Sequence, residues 1–393
     1  MVPDFVHPIL HKPIREMLSD VLKASPVGSP AMIKVMPFPA YPRSADFVPP
    51  VMSVPDVPHT LTHWTFPPAG AAVPHGQVSM PRHTRLMATL NVTPDSFSDG
   101  ADHSSLLAAL DYAASSTSAG AHIVDVGGYS TRPGAAHVSP EDETARIVPV
   151  IKEIRTLSSS TPDAEKVLIS VDTFRPRVAR AAILAGANCI NDVYAFTGPD
   201  YPPTASSFFP PMTYFTEMRG TARELGVPVI LMHSRGDAGA NKDYSRYGSV
   251  VDGVVQEVGE KVEAIVRGPG GVRRWLVMID PGIGFSKSVD DNLEVLRHSA
   301  SITAETRTVD GGWNPLRGYP QLIGTSRKSF LGNILSRPDK SGTYEGRQTT
   351  PKERGWATTA AVASAVQQGA AVVRVHDVLE MGDVVRIANA IWG

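Results

Sequence analysis

The sequence is poor in three features, and each shortage excludes a class of protein. It contains one cysteine, Cys189, among 393 residues, so no disulfide can form within the chain. Its 37 Lys+Arg nearly balance its 39 Asp+Glu, which argues against nucleic acid and membrane surfaces as partners. No apolar run approaches the ~18 residues of a membrane helix. What is present is an enzyme-sized chain with 42% hydrophobic residues, enough for a sizeable core.

The first residues carry the acidic side chains Asp4, Glu16 and Asp20 and have no apolar core. We therefore expect no secretory signal there. The expected location is cytoplasmic, and a mitochondrial location stays open if a presequence precedes this chain.

The chain divides into three parts. Residues 1–24 carry apolar side chains at helical spacing near their end, which predicts a helix. Residues 25–80 contain twelve prolines. Each proline fixes φ and removes a backbone donor, so we predict a linker there rather than a packed domain. The folded domain is predicted over residues 81–393.

From Leu86 onward, apolar strands alternate with helices eight times. The predicted strands are Leu86–Val92, His122–Gly127, Val167–Asp172, Cys189–Tyr194, Val227–His233, Trp275–Asp280, Gln321–Thr325 and Val372–His376. The predicted helices are Ser105–Ala119, Glu141–Thr156, Arg175–Ala185, Ser249–Arg267, Val289–Arg297 and Trp356–Gln368. The strands are short and nearly continuously apolar, as strands covered on both faces are. The pattern predicts an α/β protein, a (β/α)8 TIM barrel preceded by a proline-rich N-terminal extension.

Three polar residues, Asp172, Asn191 and Asp280, lie at the ends of apolar predicted strands. In a TIM barrel the chemistry lies at these C-terminal ends, because the loops converge there. A buried carboxylate without a partner is costly, so each needs hydrogen-bond donors. Two interpretations stay open. Each Asp pairs with a neighbouring Arg or Lys and holds the barrel, or the three together bind a donor-rich ligand such as a 2-amino-4-oxo heterocycle.

A cationic group lies mostly at the ends of predicted strands 7 and 8. Its members are Arg132, Arg327, Lys328, Arg374 and His376. TIM barrels often bind phosphate after these two strands, and Arg makes bidentate contacts with phosphate oxygens. The group predicts a clamp for a dianion, with solvated charges at the barrel rim as the alternative. Asn91, a neutral oxygen ligand at the end of strand 1, suits Mg²⁺ held mostly by phosphates.

These residues fall in motifs that resemble dihydropteroate synthase, a family of folate biosynthesis. In the order of the family, the motifs are Asn91–Gly100, Gly127–Gly134, Val171–Thr173, Ile190–Asp192, Asp280–Phe285, Ser326–Ser329 and Arg374–His376. The resemblance covers residues 86–393. A single motif of this kind is a weak signal, whereas seven in order are specific.

The resemblance implies a transferase that joins 6-hydroxymethyl-7,8-dihydropterin diphosphate to 4-aminobenzoate, forming a C–N bond and releasing pyrophosphate. The residues that match the pterin pocket are Asp172, Asn191, Asp280 and Lys328. Those that match the diphosphate site are Thr131, Arg132, Arg374 and His376, and Asn91 matches the Mg²⁺ ligand. The positions that seat 4-aminobenzoate are matched by Phe97, Pro133, Phe285 and Ser329. The resemblance makes Asp172, Asp280 and Lys328 the expected catalytic residues.

The resemblance also carries expectations about partners. Family members are sulfonamide targets that act on small molecules, and the family suggests a homodimer formed through the last helices. Residues 1–24 are similar to the end of hydroxymethyldihydropterin pyrophosphokinase, the preceding enzyme, with an ordinary amphipathic helix as the alternative. This similarity suggests the synthase portion of a fungal-type multifunctional protein. Tyr129 departs from the Glu of many bacterial members, and we expect it to alter loop packing rather than chemistry.

Two other functions stay open. A pterin-binding methyltransferase barrel shares the Asp, Asn and Asp, but it needs no diphosphate clamp. A non-catalytic barrel in a multienzyme would tolerate losses at Lys328, Arg374 or His376, and all three are present. For the synthase, we expect C–O cleavage to run ahead of amine attack. Ionised Asp172 and Asp280 would then stabilise positive charge on the pterin.

Overall fold

Eight parallel strands pair side by side into a nearly closed barrel. The computed structural model describes residues 83–93, 102–130, 137–158, 167–199, 212–236, 238–267, 270–308 and 311–392. Its strands are β1 (Arg85–Asn91), β2 (Ile123–Gly127), β3 (Leu168–Asp172), β4 (Cys189–Asp192), β5 (Val229–Met232), β6 (Val277–Asp280), β7 (Leu322–Ile323) and β8 (Val372–Val375). They form one sheet in the order β6-β5-β4-β3-β2-β1-β8-β7. A parallel bridge between Ile279 and Gln321 joins its two edges.

Within the described ranges, nine α-helices alternate with these strands. They are α1 (Asp102–Ser118), α2 (Pro140–Ser158), α3 (Pro176–Leu184), α4 (Met212–Leu225), α5 (Val250–Arg267), α6 (Val289–Ile302), α7 (Ser329–Leu335), α8 (Gly355–Gln367) and α9 (Val378–Trp392). The predicted (β/α)8 TIM barrel is confirmed. Six of these helices correspond to those named from the sequence as members of the eightfold alternation, and α4, α7 and α9 are the other three.

The strands place alternate side chains in different surroundings, as the period of two requires. Ala88, Val124 and Ile169 belong to the main apolar cluster, which includes residues of the helices. The next residues along these strands, Thr89, Asp125 and Ser170, are register partners and therefore lie side by side. These three polar residues are buried. Each lies two residues before the last residue of its strand.

Some strand boundaries differ from the prediction for a local reason. The predicted strand Cys189–Tyr194 is two residues longer than β4. The carboxylate of Asp192 accepts hydrogen bonds from the backbone nitrogens of Tyr194 (2.8 Å) and Phe196 (3.1 Å). These bonds turn the chain, and Phe196 has a left-handed φ of 70°. Similarly, β6 begins at Val277 because a 3₁₀ turn, Arg274–Leu276, precedes it.

The predictions for residues 1–24 and 25–80 fall outside the described residues. In the part of the chain that the structure describes, no helix combines the length and the apolar character needed to cross a membrane.

Candidate active site

Polar side chains collect at the C-terminal edge of the barrel, where the strands end. Asp172 is the last residue of β3 and the register partner of Asn191 in β4. Asp280 is the last residue of β6. Asn191 and Asp280 are buried and Asp172 is half-buried. These three residues occupy the strand ends at which the sequence places them.

Arg374, in β8, reaches two carboxylates on other strands. Its Nε lies 2.6 Å from Oδ2 of Asp125, and its Nη2 lies 2.8 Å from Oδ2 of Asp172. The same Asp125 oxygen accepts a hydrogen bond from Nδ2 of Asn191 at 3.1 Å. These four side chains form one connected unit, the Asp125 network. Asp172 therefore has an arginine partner within the barrel.

Asp125 is a site residue that the motifs did not single out. Every residue of β2 is buried, and the Asp125 side chain has no exposed surface. A carboxylate inside such a strand requires a cationic partner, because an unpaired charge there would be strongly destabilising. That requirement was the signal available in the sequence. It does not say which cation supplies the pairing, and Arg374 is 249 positions away.

Burial changes the acidity of both strand-end carboxyls. It raises the pKa of Asp172 above its usual range, against the opposing positive charge of Arg374. It raises the pKa of Asp280 to about 6, where the backbone N–H of Gly282 and the charge of Lys328 act in the opposite direction. Perturbed carboxyls of this kind at a barrel mouth are typical of functional sites.

The side chain of Lys328, which follows β7, contacts the ring of Phe285, which follows β6. The Nζ of Lys328 lies 4.3 Å from the centroid of the Phe285 ring, a cation–π distance. Gly284, next to Phe285, has a φ of +82°, and a Cβ there would lie 2.7 Å from Cδ of Lys328. The glycine therefore permits the close approach of Lys328. Asp280 is the nearby acid, and its Oδ1 accepts a hydrogen bond from the nitrogen of Gly282 at 2.7 Å.

Two further predicted cations, Arg327 and His376, have protein partners. Arg327 forms an ion pair with Asp377, with its Nε 3.1 Å from Oδ2. Nδ1 of His376 lies 3.0 Å from the hydroxyl of Ser326. Both side chains are therefore oriented by residues that follow β7 and β8. Ser329, the first residue of α7, is exposed.

Asn91 is the last residue of β1 and the register partner of Gly127, so its half-buried amide lies at the same edge of the barrel. Among the described residues there is no cluster of three His, Cys, Asp or Glu side chains that could hold a metal ion. The amide oxygen of Asn91 suits a Mg²⁺ ion that takes one neutral oxygen from the protein and its other ligands from phosphates and water.

Four predicted site residues, Phe97, Thr131, Arg132 and Pro133, lie outside the described residues. Tyr129, just before three of them, packs edge-on against Phe174, with ring centroids 5.7 Å apart. The guanidinium carbon of Arg175 lies 4.9 Å from the Tyr129 ring centroid. Tyr129 thus makes packing contacts with the residues that follow β3.

A parallel barrel with acidic, amide and cationic side chains at its strand ends defines a TIM-barrel enzyme that binds a small polar ligand. The model of a family described as "Pterin binding enzyme" matches residues 87–376, about three quarters of the chain. The chain belongs to this pterin-binding enzyme family. The resemblance found in the motifs is confirmed.

Relatives in this family differ in length. The dihydropteroate synthase of Synechocystis sp. is 36% identical over 329 residues, which cover 83% of this chain and 96% of that protein. The folic acid synthesis protein of Pneumocystis carinii is 35% identical over 79% of this chain. A mitochondrial folate synthesis bifunctional protein of Arabidopsis thaliana is 37% identical over 78% of it. The chain spans 36% and 49% of the lengths of these last two proteins.

Solved structures of dihydropteroate synthases are also similar to this chain. The Xanthomonas albilineans dihydropteroate synthase with 4-aminobenzoic acid is 35% identical, covers 79% of this chain and 93% of its own, and has a TM-score of 0.61. The Burkholderia cenocepacia enzyme complexed with 7,8-dihydropteroate is 32% identical and covers 78% of this chain and 91% of its own, with a TM-score of 0.58.

Proposed function

We propose that this chain is a dihydropteroate synthase, joining 6-hydroxymethyl-7,8-dihydropterin diphosphate to 4-aminobenzoate and releasing pyrophosphate. The observation that carries the proposal is the meeting of Asp172, Asn191 and Asp280 with Arg374 and Lys328 at the strand ends. Relatives named for this activity, one of which the chain spans almost completely, support it.

The pterin would bind through its hydrogen-bonding edge. Carboxylate oxygens of Asp172 and Asp280 accept hydrogen bonds, and the amide of Asn191 both donates and accepts. These groups match the amine, ring N–H and carbonyl of a 2-amino-4-oxo heterocycle. Lys328 adds a donor beside Asp280. Because the side chains are wholly or partly buried and pre-positioned by strands, little ordering is left to do on binding.

The diphosphate would bind on the cationic side of the site, with Thr131, Arg132, Arg374 and His376 as its ligands. Nε and Nη2 of Arg374 contact the carboxylates, and its guanidinium group offers further N–H donors that suit a phosphate oxygen. Asn91 would contribute one ligand to a Mg²⁺ ion. When bound, that ion would neutralise charge that develops on the departing diphosphate.

In the reaction, the C–O bond between the pterin methylene and the diphosphate breaks ahead of C–N bond formation. The electron-rich dihydropterin carries the positive charge, and ionised Asp172 and Asp280 stabilise it. The neutral amine of 4-aminobenzoate then attacks the methylene and loses one proton to solvent. Phe97, Pro133, Phe285 and Ser329 would seat the aminobenzoate, and this positioning substitutes for a strong base.

The chain would act as a homodimer through its last helix. Leu379, Ile387 and Ile391 on α9 are all exposed, and their spacing of eight and four residues places them on one helical face. Light scattering behind size exclusion measures the mass directly, and a monomer that persists at high concentration would refute the dimer.

We also propose that the chain acts in the cytoplasm and is fused to, or acts beside, the preceding pathway kinase.

Pyrophosphate release from the purified full chain tests the function. With pterin diphosphate and Mg²⁺, we expect release that depends on 4-aminobenzoate and yields dihydropteroate. Asp280→Asn, which removes the negative charge, should lower turnover at least tenfold while the far-UV circular dichroism stays unchanged. Pterin binding without turnover by the wild type would instead favour a methyltransferase or an assembly module.

A further inference from the structure

A buried lysine lies behind the site, directly after the loop that follows β6. Lys287 is 4% exposed, and its Nζ donates three hydrogen bonds. The acceptors are Nδ1 of His233 at 2.9 Å, the carbonyl of Gly282 at 3.1 Å and the carbonyl of Phe285 at 3.2 Å. Burial lowers the pKa of Lys287 to about 7; in the protonated form its three N–H donors are all used inside the protein.

The histidine is held in the form that accepts from Lys287. Nε2 of His233 lies 2.9 Å from Oε2 of Glu257 on α5. Because a carboxylate can only accept, Nε2 carries the proton and Nδ1 keeps its lone pair for Lys287. Burial also lowers the pKa of His233 to about 3, which keeps the ring neutral. Glu257 further binds Arg235, so the acceptor side of Lys287 is fixed by several contacts.

Lys287 connects the two ends of one short turn, residues 282–285. At the first end, the nitrogen of Gly282 donates to Asp280 and its carbonyl accepts from Lys287. At the other end, the carbonyl of Phe285 accepts from Lys287, and the Phe285 ring faces Lys328. Lys287 thus helps to hold both ends of the turn, together with hydrogen bonds from the nitrogen of Phe285 to the carbonyl of Gly282 (3.1 Å) and from the nitrogen of Gly284 to Oδ1 of Asn292 (2.6 Å).

We propose that Lys287 is a positioning residue of the reaction: it holds the turn at residues 282–285 so that Phe285 and Lys328 face the ligand bound at Asp280. Its ammonium acts through these groups, since its three donors point to protein acceptors rather than to the ligand. The inference rests on the proposed function, in which Phe285 seats 4-aminobenzoate.

Another lysine provides a matched control. Lys261, on α5, is equally buried at 4% exposure, and its Nζ donates to the carbonyl of Tyr194 at 3.3 Å. Changing either lysine to methionine removes a buried charge at similar side-chain length. Lys287 bonds to Gly282 and Phe285 of the turn, whereas Lys261 bonds to Tyr194, so the comparison tests whether contact with the turn, rather than loss of a buried lysine in general, lowers the activity.

The experiment is a double-mutant cycle between Lys287→Met and Phe285→Leu, measured as kcat/KM for 4-aminobenzoate. We expect Lys287→Met to lower this constant between about 10-fold and 100-fold, as small misplacements of reacting groups do. The dissociation constant for the pterin diphosphate should rise as well, because Lys328 is one of the proposed pterin ligands. The double variant should lose little more than the larger single loss, because both changes act on one element. Lys261→Met should keep kcat/KM within threefold of the wild type.

Fully additive losses would overturn the inference, as would a Lys261→Met variant with the same loss or a Lys287→Met variant with wild-type kinetics. If Lys287→Met does not fold, Lys287→Arg tests the same point, because a planar guanidinium cannot direct three donors to these acceptors. A wild-type protein without aminobenzoate-dependent release would refute the proposed function. An active wild type with an unaffected Lys287 variant refutes only the positioning role.

Discussion

Replacing Asp125 with asparagine removes the charge at the centre of the Asp125 network while keeping the shape of the side chain. Oδ2 of Asp125 accepts from Nε of Arg374 at 2.6 Å and from Nδ2 of Asn191 at 3.1 Å. The Asp125 side chain is wholly buried and that of Arg374 is 22% exposed. An asparagine oxygen can still accept a hydrogen bond, but it leaves Arg374 with less opposing charge.

The size of the effect follows from burial. Breaking a buried ion pair by removing one partner destabilises a protein by about 3–5 kcal/mol. Arg374 keeps its second partner, Asp172, at 2.8 Å, so we expect the lower end, about 3 kcal/mol. That corresponds to roughly a 100-fold change in the ratio of folded to unfolded protein.

Urea unfolding followed by far-UV circular dichroism at pH 7.5 measures this loss. The matched control is Asp377→Asn. This change removes the charge that pairs with Arg327 on the same face of the barrel. The side chains of Arg327 and Asp377 are 24% and 26% exposed. We therefore expect Asp377→Asn to lower the free energy of unfolding by about 1 kcal/mol or less. If Asp125→Asn unfolds at the same urea concentration as Asp377→Asn, the network does not carry the stability that its geometry implies.

Two further predictions concern catalysis. Burial raises the pKa of Asp280 to about 6 and that of Asp172 above its usual range, and both carboxyls act in the ionised form. The value of kcat/KM for the pterin should therefore rise with pH, beginning near pH 6. A profile that is flat between pH 5 and 8 would contradict this. Removal of Mg²⁺ with EDTA should abolish pyrophosphate release, and Asn91→Ala should raise the Mg²⁺ concentration needed for half-maximal rate, since the ion loses a ligand. An unchanged Mg²⁺ titration would exclude Asn91 as that ligand.

The sequence predicted the barrel and the positions of its strand-end residues because both depend on local patterns. Short apolar runs identify strands, and a polar residue that ends such a run lies at the barrel mouth, as Asp172 and Asp280 do. The motif order then identified the family. None of these signals required knowledge of which side chains touch across the barrel.

What the sequence could not predict depends on contacts between distant strands. Asp125 and Arg374 come from β2 and β8, and only the closed barrel brings them together. The end of β4 was missed for another reason. The Asp192 side chain bonds the backbone nitrogens of Tyr194 and Phe196, and apolar residues there look like a continuing strand. Lys287 was missed because a lysine after a loop usually indicates a solvated charge, whereas this one is buried.

The two strand-end acids differ in how their charge is compensated. Asp172 shares Arg374 with Asp125, so the barrel itself opposes that negative charge before any ligand arrives. Asp280 accepts a hydrogen bond from the nitrogen of Gly282 and lies near Lys328, and burial raises its pKa against both of these. Donors of a bound ligand therefore gain more at Asp280 than at Asp125. A charge-removing change should accordingly weaken ligand binding most at Asp280. It should weaken folding most at Asp125, because the side chain of Asp125 has no exposed surface and forms its ion pair with Arg374 inside the protein.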